Sequence, residues 1–173
     1  GSLLYTKEGA HSRPRICFHE DVTGKEITTV LLRTVQALPN VTIMEYTTMT
    51  DILEENGQCT GMIAETADGE VLQIHSKDTI FATGGIGGLY KHSTNYPILT
   101  GDGCRIAEKH GVALEHMDYV QIHPTSFYSE EPGRQFLISE SARGEGAILL
   151  NHKGERFTNE LEPRDVVSAA IEK

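Results

Sequence analysis

Tryptophan is absent from the 173 residues, and cysteine occurs only three times, at Cys17, Cys59 and Cys104, never as a CxxC pair. That scarcity excludes a disulfide framework and a zinc knuckle, and three reduced, mostly buried thiols are expected. No HExxH or paired metal spacing occurs among the eight histidines, so no metal is expected either. No apolar run approaches the roughly 20 residues that a membrane span needs, and the N-terminus carries no charged segment leading into an apolar one. A cytoplasmic protein without a membrane partner is the expectation. Basic charge is also short, with 15 Lys plus Arg against 25 Asp plus Glu and a formal net charge of -10. Nucleic-acid surfaces need clustered cations to displace counterions, so that class is excluded too.

What is present has the alternating character of a mixed α and β chain. "EITTVLLRTVQAL" places Ile27, Val30, Leu31, Thr34, Val35 and Leu38 at helical spacing, and Pro39 ends the run. "VTIMEY" is expected as a strand, followed by "CTGMIAET" and "EVLQIHS" as a hairpin about "ADG", since Asp-Gly tolerates positive φ. "DTIFATGG" reads as a buried strand ending in glycines. These strands, between residues 41 and 83, are expected to belong to a sheet whose other strands lie outside the 173 residues, leaving edges that would permit self-association. "GDGCRIAEKHG" is helical, with Asp102 as N-cap and Gly111 closing the end. A boundary falls near residue 117, where the pattern turns irregular and polar. "GSLL" resembles a cloning scar, and the stop at "AAIEK" within a helical pattern suggests a piece of a longer protein.

Four stretches carry chemistry. Gly84, Gly85, Gly87 and Gly88 in "FATGGIGGLY" let backbone approach a phosphate or a flat ring, although plain turn chemistry uses the same residues. His123 in "QIHPT" precedes a proline that fixes its backbone, either for a ligand or as a structural histidine. "SESARGEGA" sets Ser139, Glu140 and Arg143 within one helical turn, as a carboxylate-binding group or as a cap with a surface ion pair. In "LEPRDVVSAAI" Pro163 suits a helix start, yet Arg164 then stands at the positive end of the helix dipole, where a cation is disfavoured by roughly 0.3 to 1 kcal/mol. An anionic ligand would explain that placement, and so would a surface ion pair.

Taken in order, "TKEGAHSRPRI", "DVTGKEI", "FATGGIGGLY", "TGDG", "QIHPT", "SESARGEGAILLNHKGERF" and "PRDVV" resemble the L-aspartate oxidase family, part of the flavoprotein group that includes fumarate reductase and succinate dehydrogenase. The resemblance implies an α/β FAD-binding domain interrupted by a smaller domain that caps a dicarboxylate site. Residues 1–116 would be the later portion of the first FAD-domain segment, and 117–173 the start of the cap. It further implies that Thr48, Met49, Gly84, Gly85 and Asp102 contact FAD. His123, Ser139 and Glu140 would bind substrate, Glu8 would orient the site, and Arg143 and Arg164 would stand at the reacting centre, Arg164 as proton donor or acceptor.

The implied reaction is oxidation of L-aspartate to iminoaspartate, the first step towards quinolinate and NAD, with fumarate as an alternative electron acceptor. The chain has no GxGxxG to hold the FAD pyrophosphate, so by itself it is expected to be inactive and to retain FAD weakly or not at all. A fumarate reductase or succinate dehydrogenase flavoprotein shares "HPT", "RGEG" and the last arginine, and is the competing enzyme. A non-catalytic α/β binding module, in which Arg143 and Arg164 make only ion pairs, is the competing reading of another kind.

Overall fold

The structure, a computed structural model, describes residues 2–173, which mix helices and antiparallel sheets. The chain divides into two compact units. The first comprises residues up to Val41 together with Val120–Glu131 and Gln135–Lys173; the second comprises Thr42–Tyr119 with Pro132–Arg134. The N-terminal 41 residues thus cluster with the C-terminal segments.

The first unit holds a minimal hairpin of β1 (Tyr5–Thr6) and β2 (Ile16–Cys17), then helices α1 (Thr23–Gln36), α3 (Glu140–Gly144) and α4 (Arg164–Ile171). The expected amphipathic helix is α1, beginning a turn earlier than its apolar pattern and ending before Pro39, which cannot continue it. Its apolar residues Ile27, Val30 and Leu31 are exposed within these residues, an unpartnered apolar face on an amphipathic helix. Val167 of α4 is the buried apolar side chain of this unit.

The second unit is a three-stranded antiparallel sheet of β3 (Thr47–Glu55), β4 (Gln58–Thr66) and β5 (Val71–His75), with α2 (Asp102–Lys109) beside β3. Turn chemistry sets both connections. Asn56 and Gly57, at φ 54° and 79°, make a two-residue loop between Glu55 and Gln58, the positive-φ pair that matches strand twist. The Asp68-Gly69 turn joins β4 to β5 as expected, with Thr66 Oγ1 accepting from the Glu70 N–H at 3.2 Å. Within β4, a Cβ on Gly61 would lie 2.0 Å from the Ile74 carbonyl oxygen, so only glycine permits that approach. Ala64 and Ile106 form the small core.

Four expectations are corrected. Residues 41–46 do not form a strand, because Tyr46 takes a left-handed φ of 54° and breaks the extended chain just before Thr47. "DTIFATGG" forms no buried strand within these 173 residues: among the described residues nothing pairs with it and Ile80 is 89% exposed, while the expected sheet partners lie outside them. The thiols are free, but within these residues Cys17 and Cys59 are exposed and Cys104 is only half-buried. In α2, the cap is Gly101 at φ 75°, and Asp102 is the first helical residue, where its charge complements the helix dipole.

The end of α2 is tied to β3 by charge. His110 is held between two carboxylates, with Nε2 2.7 Å from Asp51 Oδ1 and Nδ1 2.9 Å from Glu54 Oε2, and Lys109 pairs with Asp51 as well. Glu54 first and Asp51 second raise the imidazole above its ordinary value, while Lys109 and then His110 hold the Asp51 carboxyl far below its own. A raised histidine stabilises fully below about pH 6.5 and loses that contribution as pH rises through the raised value. A depressed aspartate stabilises above about pH 4 and loses its contribution on acidification. The tie is therefore strongest between those limits. Titration of His110 by NMR should give a value above that of a free histidine, and Glu54→Gln should bring it down.

Candidate active site

A five-residue helix supplies the centre. Ser139 caps α3, its Oγ accepting from the Ser141 N–H at 3.3 Å and lying 2.6 Å from the Ser141 hydroxyl, so the capping reading of this serine is realised. One turn on, Glu140 and Arg143 share a face, with Arg143 Nη2 3.2 Å from Glu140 Oε1. Arg143 is only 3% exposed; its Nη1 donates to the Glu160 carbonyl at 2.7 Å, and its Nε has no hydrogen-bond partner among the described residues.

The other Glu140 oxygen takes Arg164. From the first position of α4, Arg164 donates through Nε at 2.8 Å and approaches through Nη2 at 2.6 Å, both to Oε2, while its Nη1 donates to Gln121 Oε1 at 2.8 Å. Glu140 thereby offsets the cost of a cation at a helix N-terminus, with Asp165 in the same turn adding to it. A guanidinium has five N–H bonds, so these contacts leave donors on the terminal nitrogens for a further acceptor.

These groups border an open groove of about 770 Å³, lined by Glu8, His11, Gln121, Glu140 and Arg164 among others. Arg143 stands behind Glu140 rather than at the lining. His123 is half-buried, its Nδ1 accepting from the Thr125 N–H at 3.2 Å. Burial first and the charge of Arg164 second lower its pKa, which keeps the ring neutral at pH 7 with the remaining proton on Nε2. The structure thus brings Glu8, Glu140 and Arg164 to one groove, with Arg143 directly behind and His123 within their electrostatic reach. Ser139 lies one residue before Glu140, its hydroxyl engaged in the cap.

Gln121 and Glu160 were missed by the sequence reading. Gln121 is two residues before His123 in "QIHPT", and its amide gives no spacing signal. Glu160 is buried, accepting from the Leu149 N–H at 2.8 Å and from Arg156 Nη2 at 2.6 Å, and Arg156 holds its pKa down at about 2 against the opposing effect of burial.

The FAD candidates lie in the second unit. A Cβ on Gly103 would meet Thr83 Oγ1 at 2.2 Å, so the start of α2 packs directly on the "FATGG" stretch, while the Asp102 carboxylate is engaged by Thr100 and Arg105. Thr48 and Met49 lie on β3, paired with Glu65 and Ala64.

The FAD binding domain family matches residues 1–173. The chain belongs to that family. Its similar curated relatives include the L-aspartate oxidase of Clostridium perfringens, 48% identical over 170 residues covering 98% of this chain and 38% of the relative. The L-aspartate oxidase of Clostridium acetobutylicum is 47% identical, covering 100% of this chain and 40% of the relative. A solved quinol-fumarate reductase with menaquinol molecules superposes with a TM-score of 0.89 at 35% identity, covering 99% of this chain and 32% of that one. The chain therefore spans about two fifths of the length of the curated oxidases it matches.

Three of the four glycines in the glycine-rich stretch are packed against the chain itself, a Cβ meeting Leu99 at 2.8 Å on Gly84, Asn95 at 2.4 Å on Gly87 and the Pro97 carbonyl at 2.6 Å on Gly88. Gly84 takes a left-handed φ of 74°, and a Cβ on Gly85 would meet nothing within 4 Å, so the backbone there is open on one side. Among the described residues no helix is long and apolar enough to cross a membrane, and no cluster of His, Cys, Asp and Glu could hold a metal.

Glu160→Gln removes the charge that Arg156 faces and should cost about 1–3 kcal/mol at neutral pH. A depressed carboxylate stabilises above its ordinary pKa and stops doing so as pH falls through the folded value, so the gap between wild type and variant should close between pH 5 and 2. Denaturant melts at several pH values read this directly.

Proposed function

We propose that this chain is part of a flavin-dependent L-aspartate oxidase, in which residues 1–116 contribute to the FAD domain and 117–173 begin the cap over the substrate. The observation that carries the reading is one carboxylate, Glu140, shared by two guanidiniums beside a groove. Although Glu8, Asp165 and Glu172 also line the groove, the N–H donors of Arg164 that Glu140 and Gln121 leave free are what a substrate carboxylate would meet there. Arg164 is the arginine at the lining, with 34% of its side chain exposed. Its planar fork, fixed by Glu140 and Gln121, orients such a carboxylate without further loss of side-chain freedom, and orientation supplies much of the rate.

Glu8, at the same groove, is a carboxylate of the right sign for the ammonium of an amino acid, which favours L-aspartate over a simple dicarboxylate. His123, kept neutral, can donate a hydrogen bond from Nε2 without adding charge. Arg143 pairs with Glu140 from behind, and the Ser139 hydroxyl caps the turn that presents both. Gly84, Gly85, Asp102, Thr48 and Met49 are the residues that would hold FAD. Bound FAD supplies the acceptor for the hydride that leaves the aspartate Cα, giving iminoaspartate.

The higher identity to the aspartate oxidases, 48% against 35% for the fumarate reductase, supports this reading over the competing enzyme. The test is turnover of the full-length parent on L-aspartate and on succinate. Oxidation of L-aspartate with reduction of bound flavin is expected; preference for succinate would transfer the protein to the respiratory group, and binding of neither dicarboxylate nor flavin would leave the non-catalytic module.

Arg164→Lys in that parent keeps the charge and loses the fork. Its kcat should fall by two orders of magnitude or more, about 3 kcal/mol of transition-state interaction, with flavin content and melting temperature near wild type. An unchanged kcat would remove Arg164 from the catalytic set.

A further inference from the structure

The loop that carries Glu8 contains an inversion of the usual glycine logic. Ala10 takes a left-handed φ of 61°, a conformation that favours glycine, whereas Gly9 beside it has no positive φ that would require one. Gly9 is buried, and a Cβ built on it would lie 2.8 Å from Glu140 Oε1, with the carbonyl oxygens of Glu162 and Leu161 both at 3.7 Å. The glycine is there for space, and the space belongs to the Glu140 carboxylate.

Neither side of that contact yields easily. The loop is anchored by the Ala10 N–H donating to the Leu161 carbonyl at 2.8 Å, and on its other flank a Cβ on Gly144 would come within 2.7 Å of the Lys7 carbonyl oxygen, so the backbone is in close contact with α3 at two points. Glu140 Oε1 faces Arg143 at 3.2 Å while Oε2 is held by Arg164. A side-chain terminus usually moves aside cheaply; this one would have to leave a guanidinium to do so.

We propose that Gly9 is a positioning residue for the reaction: its missing side chain lets Glu140 hold Arg143 and Arg164 at once, and its backbone caps the carboxylate against rotation. The proposal rests on the aspartate oxidase reading above and adds to it a residue that lines the groove without a side chain and acts through Glu140; a methyl that merely obstructed the groove would cost the same in both backgrounds of the cycle below. Gly9→Ala pushes the carboxylate off Arg143 or turns it away from Arg164, so the guanidinium at the groove loses its fixed orientation.

The experiment is a double-mutant cycle in the full-length flavin-loaded parent, with Gly9→Ala, Glu140→Asp and both together, reading kcat per bound flavin and melting temperature for each. Aspartate is one methylene shorter and withdraws from the added methyl. Gly9→Ala alone should lower kcat per flavin by about tenfold or more. In the Glu140→Asp background the same change should cost less than about twofold, because the clash is gone. Equal fold losses of kcat in both backgrounds, or a Gly9→Ala variant with lowered melting temperature and wild-type kcat per flavin, would overturn the proposal. Should the wild-type parent fail to oxidise aspartate, the functional reading fails separately, and the cycle in melting temperature still decides: a loss seen only with Glu140 present supports the clamp, and equal losses with Glu140 and Asp overturn it.

Discussion

One carboxylate holds the first unit's site together. Glu140 receives Arg143 from its own helix and Arg164 from the start of α4, and the Lys7–Ala10 loop closes over it. Three segments far apart in sequence meet at this group. Removing two guanidiniums and a carboxylate from water is costly, and the arrangement persists because each charge has an opposite neighbour and the exposed edge of Arg164 still meets solvent. At the groove itself Arg164 stands among Glu8, Glu140, Asp165 and Glu172, so its free N–H donors are a local positive feature in an acidic setting. Stability and recognition therefore use one set of atoms, and weakening Glu140 would affect both.

Few apolar side chains are buried within these 173 residues. Among the described residues the buried apolar side chains are Ala64, Ile106 and Val167, while α1 and the 80–81 stretch present apolar side chains to solvent. Local and polar devices order each unit. In the second unit these are two tight turns, a glycine that admits the neighbouring strand, and the His110 clamp between Asp51 and Glu54. In the first they are the Glu140 cluster and the Glu160 to Arg156 pair. Polar ties of this kind depend on pH in a way that a packed apolar core would not.

The elements with strong local signals were readable. The periodicity of α1, the Asp-Gly turn after β4 and the glycine-bounded α2 all appear within a few residues of their expected places. The failures share one cause, which is that burial and pairing are non-local. "DTIFATGG" has the composition of a buried strand, but composition does not supply a neighbour to pair with. Tyr46 closes a turn by adopting a backbone conformation that its residue type does not announce. The cysteines were expected inside because thiols usually are, and within these residues they are exposed or half-buried.

For the site, the residue types and their order came from sequence alone: an arginine at a helix start, a serine, glutamate and arginine within one turn, a histidine before a proline. Each of these had a plain structural explanation when taken singly, and in the case of the Ser139 cap that explanation also proves true. Only the tertiary structure decided which anion each cation holds. Arg143 faces Glu140 and the Glu160 carbonyl from a buried position, and Arg164 reaches the groove through Glu140 and Gln121, a residue without any sequence signal. The reason is geometric. Local spacing fixes which side chains share a helical face, but partners 24 and 43 residues away are chosen by how the chain returns on itself.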